Sequence, residues 1–260
     1  MRHRLAAFSL GLSAMGTVLP LLAAEGPGAR GPKQSFEVTS NERASFSPGG
    51  TMRLDNSYGF LTGEGWDEPE VQVTVTKSTD RFFEPARKQK AEQRFDQVRV
   101  AAKRQSDREF AITTALPVRS SLFTSVLPSG EMIVTMPLLP KTKRGVTVEY
   151  SVHVPRDSRL VIHHDNGYVW VSDVTGDIEV DSHTGDMIVM LPDPGLYSID
   201  ARSRVGTVLS DFAGKTNSQF LLGTHFAYAG QAPSRRVHLR MGRGSITIKA
   251  GPPSGPLWKD

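Results

Sequence analysis

Short runs in which apolar and polar residues alternate dominate this chain, and Gly, Asp, Asn or Pro closes each run. Residues 71–76 (VQVTVT) and 146–154 (VTVEYSVHV) alternate strictly, the signature of strands with one dry and one wet face. Pro155-Arg156-Asp157-Ser158 then reads as a turn, Pro setting φ and Asp and Ser bonding nearby backbone. The same pattern predicts strands at 160–164, 169–172, 178–180, 187–191, 197–201, 208–210, 237–241 and 245–249. Residues 98–103 and 109–114 predict a hairpin around 104–108. One segment departs from this habit. Between Asp80 and Phe95, the residues Phe82, Phe83, Ala86, Ala91 and Phe95 fall at the spacing of a short amphipathic helix. Its basic residues read as a solvated outer face. Residues 120–144, broken by Pro and Gly and holding apolar stretches such as 132–134, read as a loop-rich insertion with room for one strand.

The second half carries a short internal repeat. Gly167, Gly176 and Gly185 are spaced nine residues apart, in NGYVWVSDV, TGDIEVDSH and TGDMIVMLP. Weaker echoes occur at 205–208, at 243–248 and at Asn56-Ser57-Tyr58-Gly59-Phe60. Each unit is a turn followed by about five strand residues, with Gly supplying strained turn conformations. A nine-residue unit cannot bury its own apolar face, so it must stack on neighbours. Ile178 and Val180 point one way, and Asp177, Glu179 and Asp181 the other. The constant spacing predicts an all-β, β-solenoid-like stack of short strands with one short helix in the N-terminal half. An antiparallel β-sandwich is the alternative.

The first residues bear on location. Arg2 and Arg4 precede the almost uncharged run 5–22 and the small residues Ala23-Ala24, the order of events in a secretory signal. Cleavage after Ala24 is expected. Gly11, Gly16 and Pro20 make the run a poor membrane helix. Export follows as an expectation, to a periplasm, the outside or the cell surface, with no membrane span left after cleavage. Residues 25–34 read as a flexible leader, 35–250 as a single β-rich domain and 251–260 as a disordered tail. The absence of cysteine removes disulfides, thiolate metal sites and a cysteine nucleophile from consideration. Loss of Arg2 and Arg4 takes 31 basic residues to 29 against 27 acidic, which is no footprint for nucleic acid.

The stretch HHDNGYVWVSDVTGDIEVDSHTGDMIVMLP, followed by YSIDARSRVGTVLSDF, resembles the bacterial adhesin family, a widespread domain of unknown function. The likeness spans about 146–212 and extends more loosely to 71–114 and to the final Gly-Ser-Ile-Thr-Ile unit. The resemblance implies a β-solenoid-like domain of exported or envelope proteins, and it carries over no catalytic residue.

Candidate chemistry changes this picture little. His163 and His164 are adjacent on a strand and point to opposite faces, so at most one can join Asp165 or His183 in a site. The Gly-Asp pairs at 176–177 and 185–186 lack the further Gly and Asp positions of calcium-binding nonapeptides. An aspartate bonding its own turn is the preferred reading there. No Gly-x-Ser-x-Gly elbow occurs. No metal and no cofactor is expected. Tyr168 and Trp170 share one strand face and form the candidate binding surface, with His183 as a third member. The expected function is non-catalytic: an exported or envelope-associated module offering a binding, adhesion or structural surface to a glycan, a protein or another envelope component. The alternative is a carbohydrate-active enzyme, a polysaccharide lyase or glycosidase on a β-helix.

Overall fold

The computed structural model describes residues 35–79, 88–115, 124–126, 132–134, 146–219 and 223–251. The signal segment, the leader, most of the 120–144 insertion, the first half of the expected helix and the tail from 252 lie outside the described residues.

In chain order the strands are β1 (Glu37–Ser45), β2 (Thr51–Trp66), β3 (Glu70–Thr79), β4 (Arg99–Ser106), β5 (Glu109–Ala115), β6 (Thr124–Val126), β7 (Met132–Val134) and β8 (Val146–Pro155). They continue with β9 (Arg159–Ser172), β10 (Ile178–Leu191), β11 (Tyr197–Val205), β12 (Val208–Ser210), β13 (Lys215–Gln219), β14 (Gly223–Ala229) and β15 (Arg235–Ala250). The α-helix among the described residues, α1 (Lys88–Asp96), buries Phe95, and Lys77 Nζ donates to the Val98 carbonyl at 2.7 Å just beyond its last turn. β6 and β7 pair with each other, and the other thirteen strands form one mixed, branched sheet whose main path runs from β1 to β13, with β5 and β4 added beside β2 and β12 beside β15. That sheet is not closed.

The all-β expectation holds, and the 98–114 hairpin is β4–β5. Several expected strands are halves of longer ones. Residues 160–164 and 169–172 join as β9, 178–180 and 187–191 as β10, and 237–241 and 245–249 as β15. β1, β13 and β14 fall in stretches with too little apolar alternation to announce them, and β2 extends far beyond its five-residue echo.

A run of parallel strands, β2-β9-β10-β15-β11, forms the centre of the sheet. Ile178 lies beside Leu160 and Gly185 beside Gly167, so β10 repeats β9 eighteen residues later, two nine-residue units rather than one. A straight 14-residue strand is about 45 Å long. The five residues linking β9 to β10 reach only roughly 20 Å. Each long strand therefore folds over in its middle so that its end returns towards its start.

Glycine makes that fold possible. Gly59, Gly167, Gly185 and Gly244 lie side by side across four strands, all with positive φ. At Gly185 φ is 132°, and a Cβ there would collide with the carbonyl oxygen of Gly167. The bend also shifts the alternation by one residue. In β10, Ile178, Val180 and Ser182 are buried before it and Met187, Val189 and Leu191 after it. The interior is thus built of columns, such as Met52-Leu160-Ile178-Val237-Ile199 and Leu61-Val169-Met187-Ile246-Val208, all buried.

Candidate binding surface

The bend divides the outer surface of the parallel strands into two faces with different chemistry. Residues before the glycine column form a charged face, and residues after it form a mixed one in which aromatic and aliphatic side chains lie among Glu64, Asp186 and Lys249.

On the later face, Phe60 of β2 lies beside Tyr168 of β9, with ring centroids 6.5 Å apart. Two residues on, Thr62, Trp170, Ile188 and Thr247 form the next row, which Leu209 of β12 extends. Phe60 is 56% exposed and Leu209 59%, while Tyr168, Trp170, Ile188 and Met190 are half-buried. The inward neighbours Val169 and Val171 are fully buried, so the outward direction of Tyr168 and Trp170 is fixed by alternation. The result is an apolar and aromatic stripe across β2, β9, β10 and β12. Phe60, Ile188 and Leu209 were not among the sequence candidates. Aligning the repeats on their glycines would have found the first two, because Phe60 and Tyr168 each follow the bend glycine directly and Ile188 and Trp170 share one row.

On the earlier face lies a groove of about 580 Å³ lined chiefly by His163, Asp165, Asp181, His183, Arg202, Arg204 and Arg240. His183 precedes Gly185, so the bend separates it from Tyr168 and Trp170, and the three do not form one surface. His163 is exposed and hydrogen-bonds Asp55 at 2.7 Å, whereas His164 is buried, as adjacent strand positions require. Asp200, beside the groove, accepts from Arg240 at 2.6 Å and pairs with His225 at 2.8 Å. The Arg240 guanidinium, more than any other neighbour, holds that carboxyl below the usual range.

The Gly-Asp carboxylates have structural work, though not within their own turns. Asp177 accepts from the Arg236 amide at 2.9 Å, and Asp186 from the Ser245 amide at 3.1 Å. Each therefore ties β10 to β15. Parallel stacking places the next strand's N–H nearer than the turn's own, so the expected local bond gives way to one between strands. Glu179 is paired with Arg159 at 2.9 Å. His153 contacts Glu64 at 3.5 Å and packs on Trp66, with centroids 5.2 Å apart. No group of three or more metal-ligating side chains occurs among the described residues, and no described helix is long and apolar enough to cross a membrane.

No family model and no curated protein matches this sequence. The chain is similar in structure to a putative cell adhesion protein from Clostridium sporogenes, at 14% identity and a TM-score of 0.46, over 82% of this chain and all of the other.

Proposed function

We propose that this chain is a non-catalytic, exported or envelope-associated module, built as a β-solenoid, that binds its partner through the outward face of the later half of its coils. The solenoid reading is supported by the eighteen-residue register, the aligned bend glycines and the stacked interior columns. The binding reading rests on one observation, the stripe of Phe60, Tyr168, Trp170, Ile188 and Leu209 that faces outward in register. Apolar side chains gathered on a surface mark interaction sites, and flat aromatic rings beside hydroxyl-bearing Thr62 and Thr247 suit the faces of sugar rings. The partner proposed is accordingly a neutral glycan of the envelope or of a target surface.

Tryptophan fluorescence of the protein, titrated with neutral oligosaccharides, tests this. Binding should quench or shift Trp170, and Tyr168→Ala should weaken it about ten-fold or more, as expected for an aromatic anchor. Binding unchanged in Tyr168→Ala and in Trp170→Ala followed by calorimetry would overturn the reading. Shortened or unsaturated products in the same mixtures would overturn its non-catalytic part.

A further inference from the structure

The groove on the earlier half of the coils has a division of charge that the aromatic face lacks. Arg202 and Arg204 are two residues apart on β11 and project from the same face. Among the described residues neither side chain has a hydrogen-bond or ion-pair partner. Arg202 lies directly beside Arg240 on the neighbouring strand, an arrangement of like charges that costs stability. Arg240 is turned away to Asp200, so Asp200 neutralises Arg240 and leaves Arg202 uncompensated.

Across the groove stand Asp165 of β9 and Asp181 of β10, both also without a partner among the described residues. Between His183 and the Arg204 strand the floor is Gly242. A Cβ at that position would come within 2.5 Å of the His183 carbonyl oxygen, so the floor stays bare backbone. Two strand spacings, roughly 10 Å, separate Asp181 of β10 from the β11 wall, and three, roughly 15 Å, separate Asp165 of β9 from it. Arg240 stands between Asp181 and Arg202, and Gly242 between His183 and Arg204, so the width of β15 separates the β10 wall from the two arginines.

We propose that this groove binds an anionic saccharide, a sugar unit carrying a carboxylate or a phosphate. Arg202 and Arg204 take the acid group, for which the guanidinium fork is shaped. Asp165 and Asp181 accept hydrogen bonds from sugar hydroxyls and repel a second anion. A bare anion uses one wall only, and a neutral sugar leaves the arginines uncompensated. The site shares no residue with the aromatic stripe and does not depend on it.

Titration calorimetry of the full chain at low ionic strength, with digalacturonate, glucose 6-phosphate, glucose and inorganic phosphate, tests the proposal. One or both anionic sugars should bind at millimolar concentrations or below, and which of them binds identifies the acid group. Glucose should not bind. Inorganic phosphate should bind about ten-fold more weakly than the anionic sugar, having lost its contacts to the aspartate wall. Arg202→Ala/Arg204→Ala should weaken binding about ten-fold or more, while Arg202→Lys/Arg204→Lys retains part of it through charge alone. Both pairs lie on the exposed face and leave the far-ultraviolet circular dichroism unchanged. Trp170→Ala should bind the anionic sugar as the parent does. Absence of binding by both anionic sugars, affinity unaltered in the alanine pair, or phosphate binding as tightly as the sugar would each overturn it.

Discussion

Where the strands approach their bend, one interior column is polar: Ser57, His164, Ser182 and Ser203 are all buried, with Met241 interposed. Ser57 Oγ hydrogen-bonds His164 Nδ1 at 2.9 Å, and Ser203 Oγ donates to the Gly244 carbonyl at 2.8 Å. His164 Nε2 and Ser182 Oγ, on paired positions of adjacent strands, have no partner. Burial dominates the imidazole's titration and pushes it down from 6.5 to about 4, while the backbone of Asn166 and of Gly59 pulls the other way. The unfolded chain therefore binds a proton that the folded chain refuses between these values. Stability contributed by the neutral ring is present in full above pH 6.5 and is lost as pH falls towards 4. The loss amounts to about 3 kcal/mol. In a nuclear magnetic resonance titration the His164 ring should keep its neutral shifts to about pH 5, and urea midpoints should fall across the same interval. A His164 midpoint near 6.5 would contradict this account.

At the scale of elements, the decisive feature is where β2 and β15 lie. β8 and β9 are consecutive in the chain, yet β2 lies between them, and β15 lies likewise between β10 and β11. Each is a 16-residue strand flanked on both sides along most of its length. β15 is the last strand among the described residues, but its ladder bonds run to β10 on one side and to β11 and β12 on the other. In hydrogen exchange followed by mass spectrometry, amides of 237–248 should be among the slowest in the protein, and those of β1 and β13 among the fastest. Exchange of β15 at the rate of an edge strand would show that the insertion is not held in solution.

The repeat was legible from glycine spacing, and so were Tyr168 and Trp170 as a pair on one face. Three things were not legible. The shift of alternation at the bend hides that two short runs form one strand. The eighteen-residue offset cannot be read from nine-residue units without knowing that the strand folds over. The insertion of β2 and β15 is a long-range pairing that no local pattern encodes. That same bend is why His183, near Tyr168 in sequence, belongs to the charged groove instead.

The whole molecule inherits a mechanical consequence from these insertions. An array of sequential coils is stabilised mainly by contacts between neighbours, so its ends can melt separately. Here β2, from the N-terminal part of the described residues, pairs with β9 along its length, while β15, from their C-terminal part, sits inside the stack. Unravelling β11 to β14 exposes β15, and losing β15 strips the Ile178, Val180, Met187 and Val189 strand of its neighbour. Damage at one end must therefore travel. Phe226 of β14 is buried close to the β13 edge, and Trp66 lies at the far side of the sheet, with its indole donating to the Glu70 carbonyl at 2.8 Å. Phe226→Ala should cost about 3–5 kcal/mol, lowering the melting temperature by several degrees. Trp66 fluorescence, read in a Trp170→Phe/Trp258→Phe background, should follow that shift, and calorimetry should show one transition. A Trp66 transition that stays in place while the calorimetric peak splits would mean that the two ends unfold independently, and that interleaving does not couple them.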